Sequence, residues 1–186
     1  MRLSSVLVCT SLLIVACSTP PADSSLRDTS FQAFADLHGE GWRADAERGR
    51  YGEAATLIER YLAANAGGLD PWQVSVLQFH RAEMLACAGN DQAALALLPA
   101  ARLASEPKDL PVDWNAMVDA VEAFLRHDRP ALVEAQKRIN AHGDAKVDVI
   151  EQAKVDAMFR EFGRPYRRAY LAGNESAHEA VTAEDL

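Results

Sequence analysis

Apolar side chains recur every three to four residues along most of this chain, and no segment alternates apolar with polar as a half-buried strand does. In "YGEAATLIERYLAAN", Ala54, Leu57, Ile58, Tyr61 and Leu62 fall at i, i+3, i+4, i+7 and i+8, one face of an α-helix. "DWNAMVDAVEAFL" repeats the pattern with Trp114, Met117, Val118, Val121 and Leu125. A strand has a side-chain period of two and could not keep either set on one side, so the expected fold is all-α. Helix boundaries are legible as well. Asp70-Pro71 joins an N-cap acceptor to a proline whose missing N–H costs nothing in the first turn. Asp91, Asp113 and Asp128 read as further caps, and Gly49 and Gly89 stand where a preceding helix should stop. A last helix is expected from Val147 to Phe162, followed by the short "RPYRRAY".

The stops recur at a spacing. Laying "GRYGEAATLIERYL" from Gly49 under "GNDQAALALLPAAR" from Gly89 aligns Ala54 with Ala94, Leu57 with Leu97 and Ile58 with Leu98, an offset of 40 residues. "HDRPALVEAQKRIN" supplies a third copy at an offset of 37, with Ala131 and Ala135 opposite Ala94 and Leu98, although it lacks the turn glycine. The unit is helix–turn–helix. It resembles the tetratricopeptide repeat, which places Gly at the inter-helix turn, Ala five residues on and a large apolar residue four later. Pro107 lies near the place of the family's terminal proline. The offsets exceed the family's ~34 residues, and the early Trp and Tyr are absent from the second unit's first helix. The resemblance covers roughly residues 30 to 142 and implies antiparallel helix pairs stacked as a small solenoid, closed by the last helix and the "RPYRRAY" segment.

The N-terminal apolar run, Leu3 to Ala16, is too short to span a bilayer, which takes about 20 apolar residues, and it follows a single charge, Arg2. A charged start, an apolar middle and small residues at the end match a secretory signal. Ile14-Val15-Ala16-Cys17 resembles the lipobox of bacterial lipoprotein precursors. The resemblance implies cleavage between Ala16 and Cys17, a diacylglycerol on the Cys17 thiol and a further acyl chain on the new amino terminus, with no other cofactor. Two or more chains anchor stably where one does not. Ser18 after the cysteine implies, by the family's sorting rule, an outer-membrane lipoprotein facing the periplasm. The expected organisation is a signal peptide at 1–16, a lipidated tether at 17–28, the helical domain at 29–172 and an acidic, disordered tail at 173–186.

Cleavage there would leave 18 basic against 27 acidic residues, a formal charge of −9. Phosphate backbones demand clustered Lys and Arg, so a nucleic-acid partner is not expected. With Cys9 in the signal and Cys17 acylated, Cys87 is left alone in the apolar "EMLACAG", where burial is expected. The histidines His38, His80, His127, His142 and His178 are scattered, so no metal site is expected. "GEGWRA" at 39–44 follows a helical pattern rather than the strand a dinucleotide fingerprint requires. A catalytic role is therefore not expected.

Candidates for partner contact are few. Trp42, Trp72, Trp114 and His80 lie on or next to first helices of the units, which by the resemblance line a concave groove, and aromatics are enriched at interface anchors. The continuous stripe around Trp114 argues for packing, whereas Trp72 in a first turn is the candidate for exposure. Arg160, Arg164, Arg167 and Arg168 concentrate positive charge in "FREFGRPYRRAY"; they either cap a helix end and pair with local Glu or grip an acidic partner or phosphate headgroups. The expectation is a non-catalytic envelope lipoprotein that acts as a scaffold for a protein partner. The alternative is an immunity lipoprotein that covers the basic rim of one secreted toxin.

Overall fold

A computed structural model describes residues 24–35, 41–106, 110, 112–141 and 145–184. Among these residues there are ten α-helices and no strand. The first three are short: α1 (Ser24–Asp28), α2 (Phe31–Ala35) and α3 (Gly41–Glu47). They are followed by α4 (Tyr51–Ala64), α5 (Pro71–Cys87) and α6 (Asp91–Leu97), which runs into a 3₁₀ turn at Leu98–Ala101. The rest are α7 (Trp114–Leu125), α8 (Arg129–Ala141), α9 (Ala145–Arg160) and α10 (Tyr166–Glu184). Consecutive helices pack as pairs, α3 with α4, α5 with α6, α7 with α8 and α9 with α10, and α5 also touches α4, α7 and α10.

Three of these pairs turn in the same way. The Gly49 N–H reaches Ala46 O at 2.9 Å and the Arg50 N–H reaches Asp45 O at 2.8 Å. Gly89 with Ala86 and Asn90 with Leu85 repeat the two bonds at 3.0 and 2.8 Å, and His127 with Phe124 and Asp128 with Ala123 do so again at 3.0 and 2.8 Å. This paired bonding closes a helix through a left-handed residue, and φ is +74° at Gly49, +84° at Gly89 and +56° at His127. The third unit thus makes its turn without glycine, at a steric cost of about 1–2 kcal/mol. The turns also correct the third alignment. His127 stands opposite Gly89, an offset of 38, so the counterpart of the fully buried Ala94 is the fully buried Leu132, while Ala131 is exposed. Asn90, not Asp91, caps α6 by accepting the Ala93 N–H, which leaves Asp91 as the first helical residue.

The other caps match the sequence pattern. Asp70 and Gln73 form a reciprocal capping box at the start of α5. Asp113 accepts the Ala116 N–H at 2.7 Å and Asp128 accepts the Ala131 N–H at 3.0 Å. The predicted apolar faces are the buried ones. Ala54, Ile58 and Tyr61 of α4 and Met117, Val118 and Val121 of α7 are all within 2 % of full burial. Each large aliphatic side chain so buried stabilises the fold by about 1.5–3 kcal/mol. The N-terminal helices are tied down by side-chain bonds to α4, from Tyr61 Oη to Thr29 O at 3.0 Å and from Asn65 Nδ2 to Leu26 O at 3.1 Å.

At the C-terminus the structure departs from the expectation. The segment expected as a disordered tail is helical as far as Glu184, because α10 begins at Tyr166 and runs straight through residue 173. Two features hold it down. Ala177 is buried, and Gly173 lies so near α9 that a Cβ there would sit 3.0 Å from the Lys154 Cα. The helix packs on α9 and touches α5.

Candidate functional site: a cleft between α3, α5, α9 and α10

The return of α10 toward α5 bounds a cleft of about 710 Å³, walled by α3, α5, α9 and α10 with Tyr51 of α4. Its floor holds a carboxylate. Glu83 is 6 % exposed, with its Oε2 at 3.0 Å from His80 Nδ1 and its Oε1 accepting the Tyr166 hydroxyl at 2.8 Å. Burial by itself would push the Glu83 carboxyl up. The His80 hydrogen bond and charge, with Lys154 and the Tyr166 hydroxyl, outweigh that and hold it below its ordinary value. The same arrangement raises the Tyr166 hydroxyl well above the usual tyrosine range, through burial first and the Glu83 charge second.

The walls carry cations and aromatic rings. Arg43 lies over the Trp42 ring at 4.5 Å from its centroid, a cation–π contact, and its Nε donates to Ala35 O at 2.6 Å. Lys154 reaches Glu151 at 3.1 Å. Burial opposes the Lys154 charge, but Glu151 and Glu83 override it and raise its pKa, while nearby Arg43 pulls the other way. Trp42 is 1 % exposed, packs on His80 at 4.9 Å between ring centroids, and has an indole N–H with no acceptor among the described residues. Tyr170 closes the far wall, with an edge-to-face contact to Tyr51 at 6.3 Å. Leu171, the one exposed large hydrophobic among the described residues at 52 %, also lines the cleft.

Of the candidates read from sequence, Trp42 and His80 belong to this cleft, and the other described ones lie elsewhere. Trp72 is half-buried rather than exposed, because it meets Trp114 edge-on at 4.7 Å. Trp114 is buried, and its Nε1 donates to Ser75 Oγ and Ala101 O, each at 2.8 Å. The arginines surround the turn between α9 and α10. All four are exposed; Arg160 donates to Ser176 Oγ at 3.1 Å and Arg168 pairs with Glu161 at 3.0 Å. Cys87 is buried, and burial, then Glu83, drives its thiol pKa up. Ala16, Cys17, His38, Pro107 and His142 lie outside the described residues.

Sequence reasoning passed over Arg43, Glu83, Lys154, Tyr166 and Tyr170. One signal was available: Glu83 stands four residues from both Phe79 and Cys87, inside the buried stripe of α5, where a charge needs a partner. One partner, His80, stands a turn earlier on α5; the other, Tyr166, is 83 residues away, which no local pattern could supply. Comparison with known proteins gives no family: no family model, no curated protein and no solved structure matches the chain.

Proposed function

We propose that this chain is a lipid-anchored envelope protein whose helical domain is a tetratricopeptide-like stack serving as a non-catalytic scaffold for a protein partner. The observation that carries the reading is the turn built three times over, at Gly49, Gly89 and His127, with the same two hydrogen bonds each time. A unit repeated in this way stacks side by side and offers an extended surface in place of a single active centre. The Ile14-Val15-Ala16-Cys17 motif supplies the anchor, and Ser18 directs it to the outer membrane, facing the periplasm. The partner surface is the turn into α10 and its first residues, where Arg164 and Arg167 are exposed and Leu171 follows Arg167 by one turn. An apolar side chain beside arginines suits an acidic partner, with charge steering the encounter and the leucine holding it.

The test is affinity capture from detergent-solubilised envelopes of the native host, comparing the wild type with Cys17→Ser and with an Arg164→Glu/Arg167→Glu double variant. Metabolic labelling with an alkyne fatty acid is expected to mark the wild type and not the Cys17→Ser chain. One stoichiometric envelope protein, lost in the double variant, is the expected capture. A well-folded wild type that retrieves no specific protein refutes the scaffold, and retrieval of a single secreted toxin replaces it with an immunity role.

A further inference from the structure

The cleft has features that a scaffold surface does not require. Its volume, about 710 Å³, falls in the range of small-molecule sites, roughly 300–1,000 Å³. Trp42, Tyr51 and Tyr170 give it aromatic walls. Arg43 and Lys154 line the same space, and two cations brought together repel unless an anion lies between them. The buried Glu83 adds its charge to Lys154, but both of its oxygens are already engaged, one by His80 and one by Tyr166, so it makes no direct pair with either cation. Lys154 has Glu151 on its own helix, while among the described residues Arg43 has no carboxylate partner. The Trp42 ring beneath it and the bond from its Nε to Ala35 O restrain the guanidinium, whose planar fork can meet a carboxylate through two parallel bonds. The remaining charge on the rim, Glu47, is exposed. With two acids and two lysine or arginine cations in the lining, a monoanion is favoured over a dianion.

The geometry points to a binding site for a small amphipathic carboxylate, with the acid between Arg43 and Lys154 and an apolar body against Tyr170 and Leu171. This site goes beyond the scaffold reading, since a ligand there needs neither Arg164 nor Arg167.

The full chain in lipid nanodiscs is titrated by calorimetry with 4-phenylbutyrate and with 4-phenylbutylamine, which share one apolar body and carry opposite charges; empty nanodiscs serve as the blank. The carboxylate is expected to bind saturably with a Kd below about 1 mM and the amine about tenfold or more weaker. Arg43→Gln and Lys154→Gln each weaken the carboxylate about tenfold, and Arg43→Lys, which keeps the charge and loses the fork, falls between. Arg164→Gln leaves binding unchanged and separates this site from the partner surface. Thermal melts identify any variant that fails to fold, and Arg43→Lys then decides the point. The assignment is overturned by equal binding of the two probes, by no saturable binding of the carboxylate, or by unchanged binding when Arg43 is replaced. Phenyl phosphate binding as tightly as the carboxylate overturns the monoanion assignment.

Discussion

Replacing Tyr166 by Phe removes one hydroxyl and tests whether the buried Glu83 carboxylate joins α10 to the rest of the domain. The hydroxyl donates to Glu83 Oε1 at 2.8 Å, and a hydrogen bond to a charged group contributes about 1.5–3 kcal/mol. The phenyl ring keeps its edge contact with Phe124 at 5.6 Å, so packing changes little. A loss of about 2 kcal/mol is expected at pH 7. In a chain of this length, that lowers Tm by about 4–8 °C. The sign of the pH dependence follows from the direction of the Glu83 shift. Its folded pKa is depressed, so the stability it contributes is present above the unfolded carboxyl value, about 4.3, and is lost as pH falls through the folded value. The wild type and Tyr166→Phe should therefore differ most near neutrality and converge in acid, as a proton on Glu83 removes the charge that Tyr166 stabilises. Paired melts at pH 7 and across the acid range read this out. A difference under about 0.5 kcal/mol at pH 7, the size of an ordinary surface substitution, would refute the reasoning, as would one that does not change with pH.

Two glycines give opposite expectations from the same substitution. Gly52 lies within α4 with nothing within 4 Å of a new Cβ, so Gly52→Ala should stabilise by about 0.5–1 kcal/mol; Gly89 has equal room but a φ of +84°, so Gly89→Ala should destabilise by about 1–2 kcal/mol in denaturant titrations. The Cys87 thiol, buried and with its pKa driven up, should label with maleimide in the native state far more slowly than in urea, and equal rates would contradict its burial.

Much of the architecture was legible from short-range pattern. The faces of α4 and α7, the capping box at Asp70 and the stops at Gly49 and Gly89 were all readable because each depends on residues within one or two helical turns. The third turn was misread for the same reason. A glycine signals a left-handed residue because it has no Cβ penalty, and His127 bears that penalty without announcing it. Trp72 looked exposed because its position in the first turn says nothing about Trp114, 42 residues on, which covers it. The acidic composition of the C-terminal segment suggested fraying, since nothing local gave it a face to bury.

The sequence by itself determined that the chain forms helices, where several of them begin and end, and which stripe of α4 and of α7 turns inward, because periodicity and capping act over a few residues. Only the tertiary structure decided where α10 lies, that Glu83 meets both His80 and Tyr166, and that Arg43 and Lys154 share one cleft. Those outcomes depend on helices far apart in the chain competing to cover the same apolar and charged groups. A buried carboxylate shows in sequence as an oddity in a stripe, and becomes a site only when folding supplies the donors that make its charge tolerable.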